Sequence, residues 1–372
     1  MVRKWLVAPL LAASLLMAPI TDAASSAYFK YSMEGGGQST NSALIKNGIT
    51  YVPAYLLESA GLQATWDQAH QKVQFIGWKK KVGIRVGSSK GVLDGVIVDL
   101  GGTPFIYEEQ LYVPARFVVG SLGGTTVGWD AAHRVYTAQG LKSFNSASAV
   151  YGGDDYTIDK KTGNLYVTAP SGEPRLLAKL GSELYDMVQF DFKKTPKGLI
   201  YLTITDIYGE PHINNTWYTL ILKDGMVIRQ DSVKYWMRYG DNVKMYGNHL
   251  VLTDGKTLRL IEDGTGKVTS SIDMAKLGGV AENYLVEGMD DDYLLIRPNQ
   301  KGLLMLIERK TGRQTLLYQK LLDTKQQEYA ETNDIPFYGD NLKFIKRDGD
   351  ALLFSNEYVR DGKIYKYLLT GK

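Results

Sequence analysis

The chain has 372 residues, 44% of them hydrophobic and 22% charged, a globular composition long enough for two or three domains with a core in each. Basic and acidic residues nearly cancel, 43 against 40, which leaves no charge surplus for nucleic acid or an acidic polymer. The absence of cysteine excludes disulfides, zinc knuckles, iron–sulfur clusters, thiol nucleophiles and lipid anchors attached through cysteine, while 25 Tyr and 39 Gly suit half-buried strands and tight turns.

At the N-terminus, Arg3 and Lys4 precede an apolar run of 13 residues from Trp5 to Met17, Pro19 interrupts it, and small residues follow at Ala23 and Ala24. A membrane-spanning helix needs about 18 to 20 apolar residues, so residues 1–24 read as a cleaved secretory signal. No later stretch is long enough to anchor the chain, which is expected outside the cell or on the wall.

Two segments repeat. Asn47 to Phe75 (NGITYVPAYLLESAGLQATWDQAHQKVQF) is matched by Glu109 to Thr137 (EQLYVPARFVVGSLGGTTVGWDAAHRVYT). Tyr51, Val52 and Pro53 correspond to Tyr112, Val113 and Pro114, Gly61 to Gly123, and Trp66-Asp67 to Trp129-Asp130. In each copy the Tyr-Val-Pro stretch predicts a strand ended by proline. A short helix follows and stops at glycine, and a hairpin starts with the tryptophan strand. An indole buries about 150 to 250 Å², roughly 4 to 6 kcal/mol as an upper bound, so both tryptophans are expected to be module cores.

At these residues the sequence resembles the copper amine oxidase N-terminal-like, or stalk, domain of secreted Gram-positive bacterial proteins, over residues 28–141. The second copy keeps Tyr112, Val113, Pro114, Arg116, Phe117, Leu122, Gly123, Val127, Trp129 and Asp130 of the family pattern. The first keeps Glu58 but has Tyr55 where arginine is usual, and the second has Gly120 where glutamate is usual. The resemblance implies a duplicated α+β module at the cell surface. It does not carry the oxidase. Copper amine oxidation uses three histidines, two in a His-x-His pair, and a tyrosine followed by an acidic residue. Here His70, His133, His212 and His249 include no such pair, and Tyr284 is followed by Leu285. His70 and His133 recur four residues after each tryptophan, but two nitrogens are an incomplete copper site, and no catalytic, metal or cofactor site is assigned.

From residue 150 to 372 short strands alternate with Gly, Asp and Asn turns. Candidate blade-opening strands begin at Tyr156, Leu199, Leu250, Tyr293 and Leu352, with a second strand after each. A period near 40 to 50 residues predicts a mainly-β domain of about five propeller-like blades.

Other motifs in the chain have simpler readings than a catalytic or ligand site. Gly87-Ser88-Ser89-Lys90-Gly91 fits the hydrolase G-x-S-x-G pattern, but strand-like sequence follows it where a nucleophile elbow enters a helix. Asp154-Asp155 and Asp290-Asp291-Asp292 lack calcium-loop order and read as solvated turns. Lys79-Lys80-Lys81 reads as a solvated strand edge. Tyr208, Trp217, Tyr218, Tyr235, Trp236 and Tyr239 are candidates for stacking on sugars, with core packing as the simpler reading. The chain therefore reads as a secreted, non-enzymatic envelope protein that binds a wall polymer, matrix glycan or surface protein. The alternative is a glycan hydrolase or lyase with its site in a propeller channel. The protein is expected in the medium or wall fraction with its N-terminus near Ala24; N-terminal sequencing that finds cytosolic chains starting at Met1 would exclude export.

Overall fold

The computed structural model describes residues 24–34, 36–237, 240–333, 339–357, 359 and 362–369; residues 1–23 of the expected signal, and Tyr239, lie outside them. The chain forms two units, one ending at Asn145 and one beginning at Ser146. The fold is mixed α+β and mainly β.

Among the described residues the first unit has twelve strands: β1 (Ser25–Met33), β2 (Gly36–Lys46), β3 (Ile49–Pro53), β4 (Gln63–Asp67), β5 (Lys72–Gly77), β6 (Lys80–Arg85), β7 (Lys90–Leu93), β8 (Val96–Asp99), β9 (Phe105–Tyr107), β10 (Gln110–Pro114), β11 (Thr125–Asp130) and β12 (Val135–Leu141). Its helices are α1 (Tyr55–Ser59) and α2 (Ala115–Ser121). One sheet runs β11-β12-β1-β2-β3-β10-β9 and the other β4-β5-β6-β7-β8; β1 and β12 are parallel. Each Tyr-Val-Pro strand ends where its proline removes a donor, and the helix starts at once. The two strands pair antiparallel, Val52 opposite Val113, Pro53 opposite Tyr112 and Tyr51 opposite Pro114, a local two-fold through the valines. Both valines are fully buried, in one core with Phe29, Leu57, Phe75, Val118 and Leu122. Gly61 ends α1 at φ +89°, and a Cβ there would sit 2.3 Å from the Asn145 side chain, so only glycine fits.

One expectation needs correction here. Lys79-Lys80-Lys81 is not a sheet edge: Lys80 and Lys81 lie on β6, the central strand of five. Lys80 is mostly covered, its Nζ 2.8 Å from Asp94 Oδ2 and 5.3 Å above the Phe144 ring. Gly87 to Gly91 connects two antiparallel strands, β6 and β7, as a loop should, and the Ser88 hydroxyl donates to the Lys90 carbonyl.

The second unit is five consecutive antiparallel meanders, spanning 146–179, 187–236, 245–273, 284–316 and 342–368. Four have four strands, and the last has three among the described residues. The strands taken from sequence as opening each blade are the second strands. Ser146–Tyr151, Met187–Lys194, Met245–Tyr246, Tyr284–Met289 and Leu342–Asp348 precede them. Several of these first strands are short or half-exposed, as in Ser146–Tyr151 and the two-residue Met245–Tyr246, and so lack a strong apolar signature.

Cores join neighbouring meanders in series. Ile158 and Leu165 of the first pack with Leu202 and Ile204 of the second, Tyr201 and Ile221 with Leu250 and Leu252, Val251 and Leu258 with Val286 and Ile296, and Leu295 and Leu306 with Leu352 and Phe354. Among the described residues no shared core joins the fifth meander to the first, and no helix is long and apolar enough to cross a membrane.

The fourth and fifth meanders are also tied by a buried guanidinium. Arg297, 3% exposed, lies 2.6 Å from Asp340 Oδ1, which is fully buried; it pairs with Glu287 and donates to the carbonyls of Gly302 and Leu342. Burial alone would lower the Arg297 pKa, but the Glu287 and Asp340 carboxylates outweigh it and hold the pKa above the usual arginine value. Removing one partner strands a buried charge. Arg297→Met is therefore expected to cost the second unit about 3 to 5 kcal/mol in urea unfolding, against under about 1 kcal/mol for Arg347→Met at a more exposed pair.

Candidate binding surfaces

The four histidines occupy four separate places. His70 Nδ1 is 2.7 Å from Asp67 Oδ2 and His133 Nδ1 is 2.8 Å from Asp130 Oδ2, all largely exposed. In both hairpins the aspartate also accepts turn amides, from His70 and from Ala132 and His133. Asp67 and Asp130 are thus turn-closing residues, and hydrogen bonding to His70 and His133 holds their carboxyl pKa below the usual range. His212 Nε2 lies 2.7 Å from Asp186 Oδ2, and the His249 ring stacks on Tyr246. Tyr284, the remaining candidate for a quinone, is fully buried. Its hydroxyl donates to the Val280 carbonyl, and burial pushes its pKa up. Among the described residues no three His, Asp or Glu side chains converge as a metal site.

The second acidic cluster is ion-paired: Asp290 and Asp292 hold Arg347, and Asp292 also holds Lys310. Asp290 Oδ1 accepts the amides of Asp292 and Tyr293. Asp290 to Asp292 form a turn, as read, but a paired one, whereas Asp154 and Asp155 are not a turn: they open the strand Asp154–Asp159, opposite Tyr151 and Val150.

The tryptophan expectation is overturned. Trp66 is 42% and Trp129 43% exposed. Trp66 faces buried Val73 across β4–β5, and Trp129 faces buried Tyr136 across β11–β12, so both rings begin rows that lead into the core. β4 and β11 are edge strands, however, and among the described residues no strand lies beyond them in the sheet to cover the outer side of the ring. Trp66, Tyr55 (40% exposed), Glu58, Phe75, Gln110 and Leu111 line a groove of about 370 Å³.

Of the six sugar-stacking candidates, Trp217, Tyr218 and Tyr235 are buried, which is the core reading. Trp236 is at the surface and Tyr208 is half-buried. The second meander has strands of nine to eleven residues at Ile200–Tyr208, Asn214–Lys223 and Met226–Trp236, longer than the four to six residues of Tyr293–Pro298 and Met305–Glu308 in the fourth. At the far end Tyr208 faces Asn214 and Asn214 faces Trp236, so Tyr208 and Trp236 share one face, roughly 10 Å apart at two interstrand spacings. The opposite face carries Trp217 and Tyr235, packed with Val233 and Leu285.

Tyr185, 59% exposed, joins this surface, its ring 4.7 Å from that of Tyr208, and Lys234 Nζ sits 5.4 Å over the Tyr208 ring. The loop bearing Tyr185 is pinned by the buried Asp206 carboxylate, which accepts the amides of Tyr185 at 2.9 Å and Asp186 at 3.1 Å. Lys160 donates to the Asp186 carbonyl. Sequence reasoning missed Tyr185 because a lone tyrosine in a turn carries no periodic signal.

The family model for the copper amine oxidase N-terminal domain matches residues 35–138. A domain of this type is present there. No curated protein sequence matches the chain. Similar solved structures include the dihydro-heme d1 dehydrogenase NirN in complex with DHE, at 8% identity, TM-score 0.26, 68% of this chain and 56% of that one. Others are virginiamycin B lyase from Staphylococcus aureus, at 13%, 0.25, 83% and 84%, and the calcium-binding protein regucalcin from Agrobacterium tumefaciens, at 12%, 0.23, 82% and 88%. The chain thus spans little more than half the length of NirN, and likenesses this slight carry no functional argument.

Because the indoles are half-covered, Trp66→Ala and Trp129→Ala are expected to cost about 1 to 2 kcal/mol each, against about 3 to 5 kcal/mol for Phe75→Ala in the core. Denaturant midpoints decide it, and equal costs would return the tryptophans to the core.

Proposed function

We propose that this is an exported, non-catalytic cell-envelope protein in which a duplicated stalk module, residues 28–141, precedes a propeller-like array, residues 150–372, that binds wall or matrix glycan. Duplication is supported by the matching strand, helix and hairpin order of the two segments and by the Val52–Val113 pairing. The propeller-like reading is supported by five successive meanders with serial cores, and export by the 13-residue apolar run.

The observation that carries the binding role is the row of exposed Tyr185 and Trp236 with half-buried Tyr208, while the aromatics Trp217, Tyr218 and Tyr235 of the same sheet are buried. Aromatic faces offer rigid apolar area to the C–H faces of pyranose rings at low entropic cost, and a roughly 10 Å spacing lets one chain contact both ends of the row. The Asp206 anchor holds Tyr185 in place before binding, which lowers the ordering cost. Lys234, exposed beside Tyr208, favours an anionic substituent on the glycan.

Co-sedimentation of the mature protein with purified wall glycan tests this. Tyr208→Ala and Trp236→Ala are each expected to weaken binding about five- to twentyfold, roughly 1 to 2 kcal/mol, measured where both variants are fully folded, because these half-covered rings also contribute about 1 to 2 kcal/mol each to stability. Trp66→Ala leaves this binding intact. Retention that ignores both substitutions in the second unit would reject the surface.

A further inference from the structure

The first unit holds two complementary charges that the fold leaves unmatched. Glu58 is the only charged residue lining the Trp66–Tyr55 groove, it is exposed, and its carboxylate has no partner among the described residues. Arg116 stands exposed on the corresponding helix α2, and its guanidinium likewise has none. The two helices diverge in opposite senses: α1 has the acid but carries Tyr55, whereas α2 has the base but carries Gly120. A Cβ at Gly120 would meet nothing within 4 Å, so the surface one helical turn from Arg116 is open. Helix α2 packs beside β11, the edge strand that bears Trp129 and exposed Val127.

We propose that the first unit is self-docking: the Trp66–Tyr55–Glu58 groove of one molecule receives the Arg116 face of α2, the helix that packs against the Trp129 strand, of a second copy of this chain. An apolar groove that contains one carboxylate is poorly filled by an apolar or anionic occupant, because the charge would be buried unpaired. A guanidinium meets both requirements, pairing with the carboxylate and lying flat over indole and phenol rings. Gly120 leaves room for the groove rim to approach. The uncovered edges of β4 and β11 lie on the two surfaces brought together, and edge strands that carry large apolar side chains are stabilised by being covered. Both halves occur once per chain, so every solution of the protein contains them in equal amount. The inference does not depend on glycan binding by the second unit.

Sedimentation equilibrium of the mature chain, without glycan, from about 1 to 200 µM tests it. The mean mass is expected to rise with concentration, and E58R and R116E are each expected to weaken association about tenfold or more, through like-charge contact. An equimolar mixture of the two variants should recover association. In that mixture the charge-reversed groove of the first variant meets the charge-reversed helix of the second, and the unaltered groove of the second meets the unaltered helix of the first. The neutral variants Glu58→Gln and Arg116→Met give smaller losses and guard against a misfolded reversal. A wild-type chain that stays monomeric throughout, single reversals without effect, or a mixture that fails to recover would each overturn the proposal.

Discussion

The antiparallel pairing of β3 with β10 constrains the rest of the first unit. Val52 and Val113 face each other with no exposure, and the prolines at the two strand ends stop the pairing from extending. The chain must leave each end as a helix, and both helices lay their apolar residues, Leu56 and Leu57 on α1 and Phe117 and Val118 on α2, onto the core that holds the valines. The hairpins that follow are then committed to different sheets, β4–β5 to the five-stranded one and β11–β12 to the seven-stranded one. In each case the tryptophan strand comes to the rim. The half-exposure of Trp66 and Trp129 follows from this geometry.

In the second unit the constraint is that a meander between two neighbours must be apolar on both faces. Tyr293–Pro298 is buried at every position because its even and odd residues serve different cores, Leu295 facing the fifth meander and Ile296 the third. Such strands read as continuous apolar runs rather than alternations. With no cysteine in the chain, these shared cores and a few buried polar ties carry the load. The Tyr201 hydroxyl on the Val251 carbonyl and the Arg297 cluster span neighbouring meanders in the same way as the apolar contacts do.

What could be read from the sequence was local. Strand, proline stop, short helix, glycine stop and hairpin were all legible in both repeats, because each depends on residues within one or two turns. The loop nature of Gly87 to Gly91 was legible for the same reason. The errors concern position within a sheet, which local sequence does not encode. Three lysines look alike on a central or an edge strand, and β6 is central only because β7 and β8 fold back onto it. A tryptophan looks like core until its strand proves to be the last in the sheet. Several first strands escaped because they are short or half-exposed, as Met245–Tyr246 and Ser146–Tyr151 are. Of the candidate surface, Tyr208 and Trp236 were noticed as aromatics, but burial of Trp217 and Tyr235 against Leu285 is what separates surface from core, and that contact joins residues far apart in the chain.

The same physical circumstance produces both exposed aromatic surfaces. A β-sheet buries a side chain only where a neighbouring strand or a packed layer continues past it, so exposure collects at the last strand and at the overhanging end of a long hairpin. Trp66 and Trp129 are exposed for the first reason, and Trp236 and, in part, Tyr208 for the second. Polar residues would be the inexpensive choice at such positions, since an exposed aromatic gains little of its burial energy. Large rings at the rim of one unit and at the hairpin end of the other therefore contribute less to folding than rings of their size can. The structure keeps each set oriented all the same, Tyr185 through the Asp206 anchor and Trp66 through the Val73 row. Rings that are rigidly presented yet only half-covered leave part of their burial energy unrealised in the fold, and the binding proposed at these two places rests on that uncovered area.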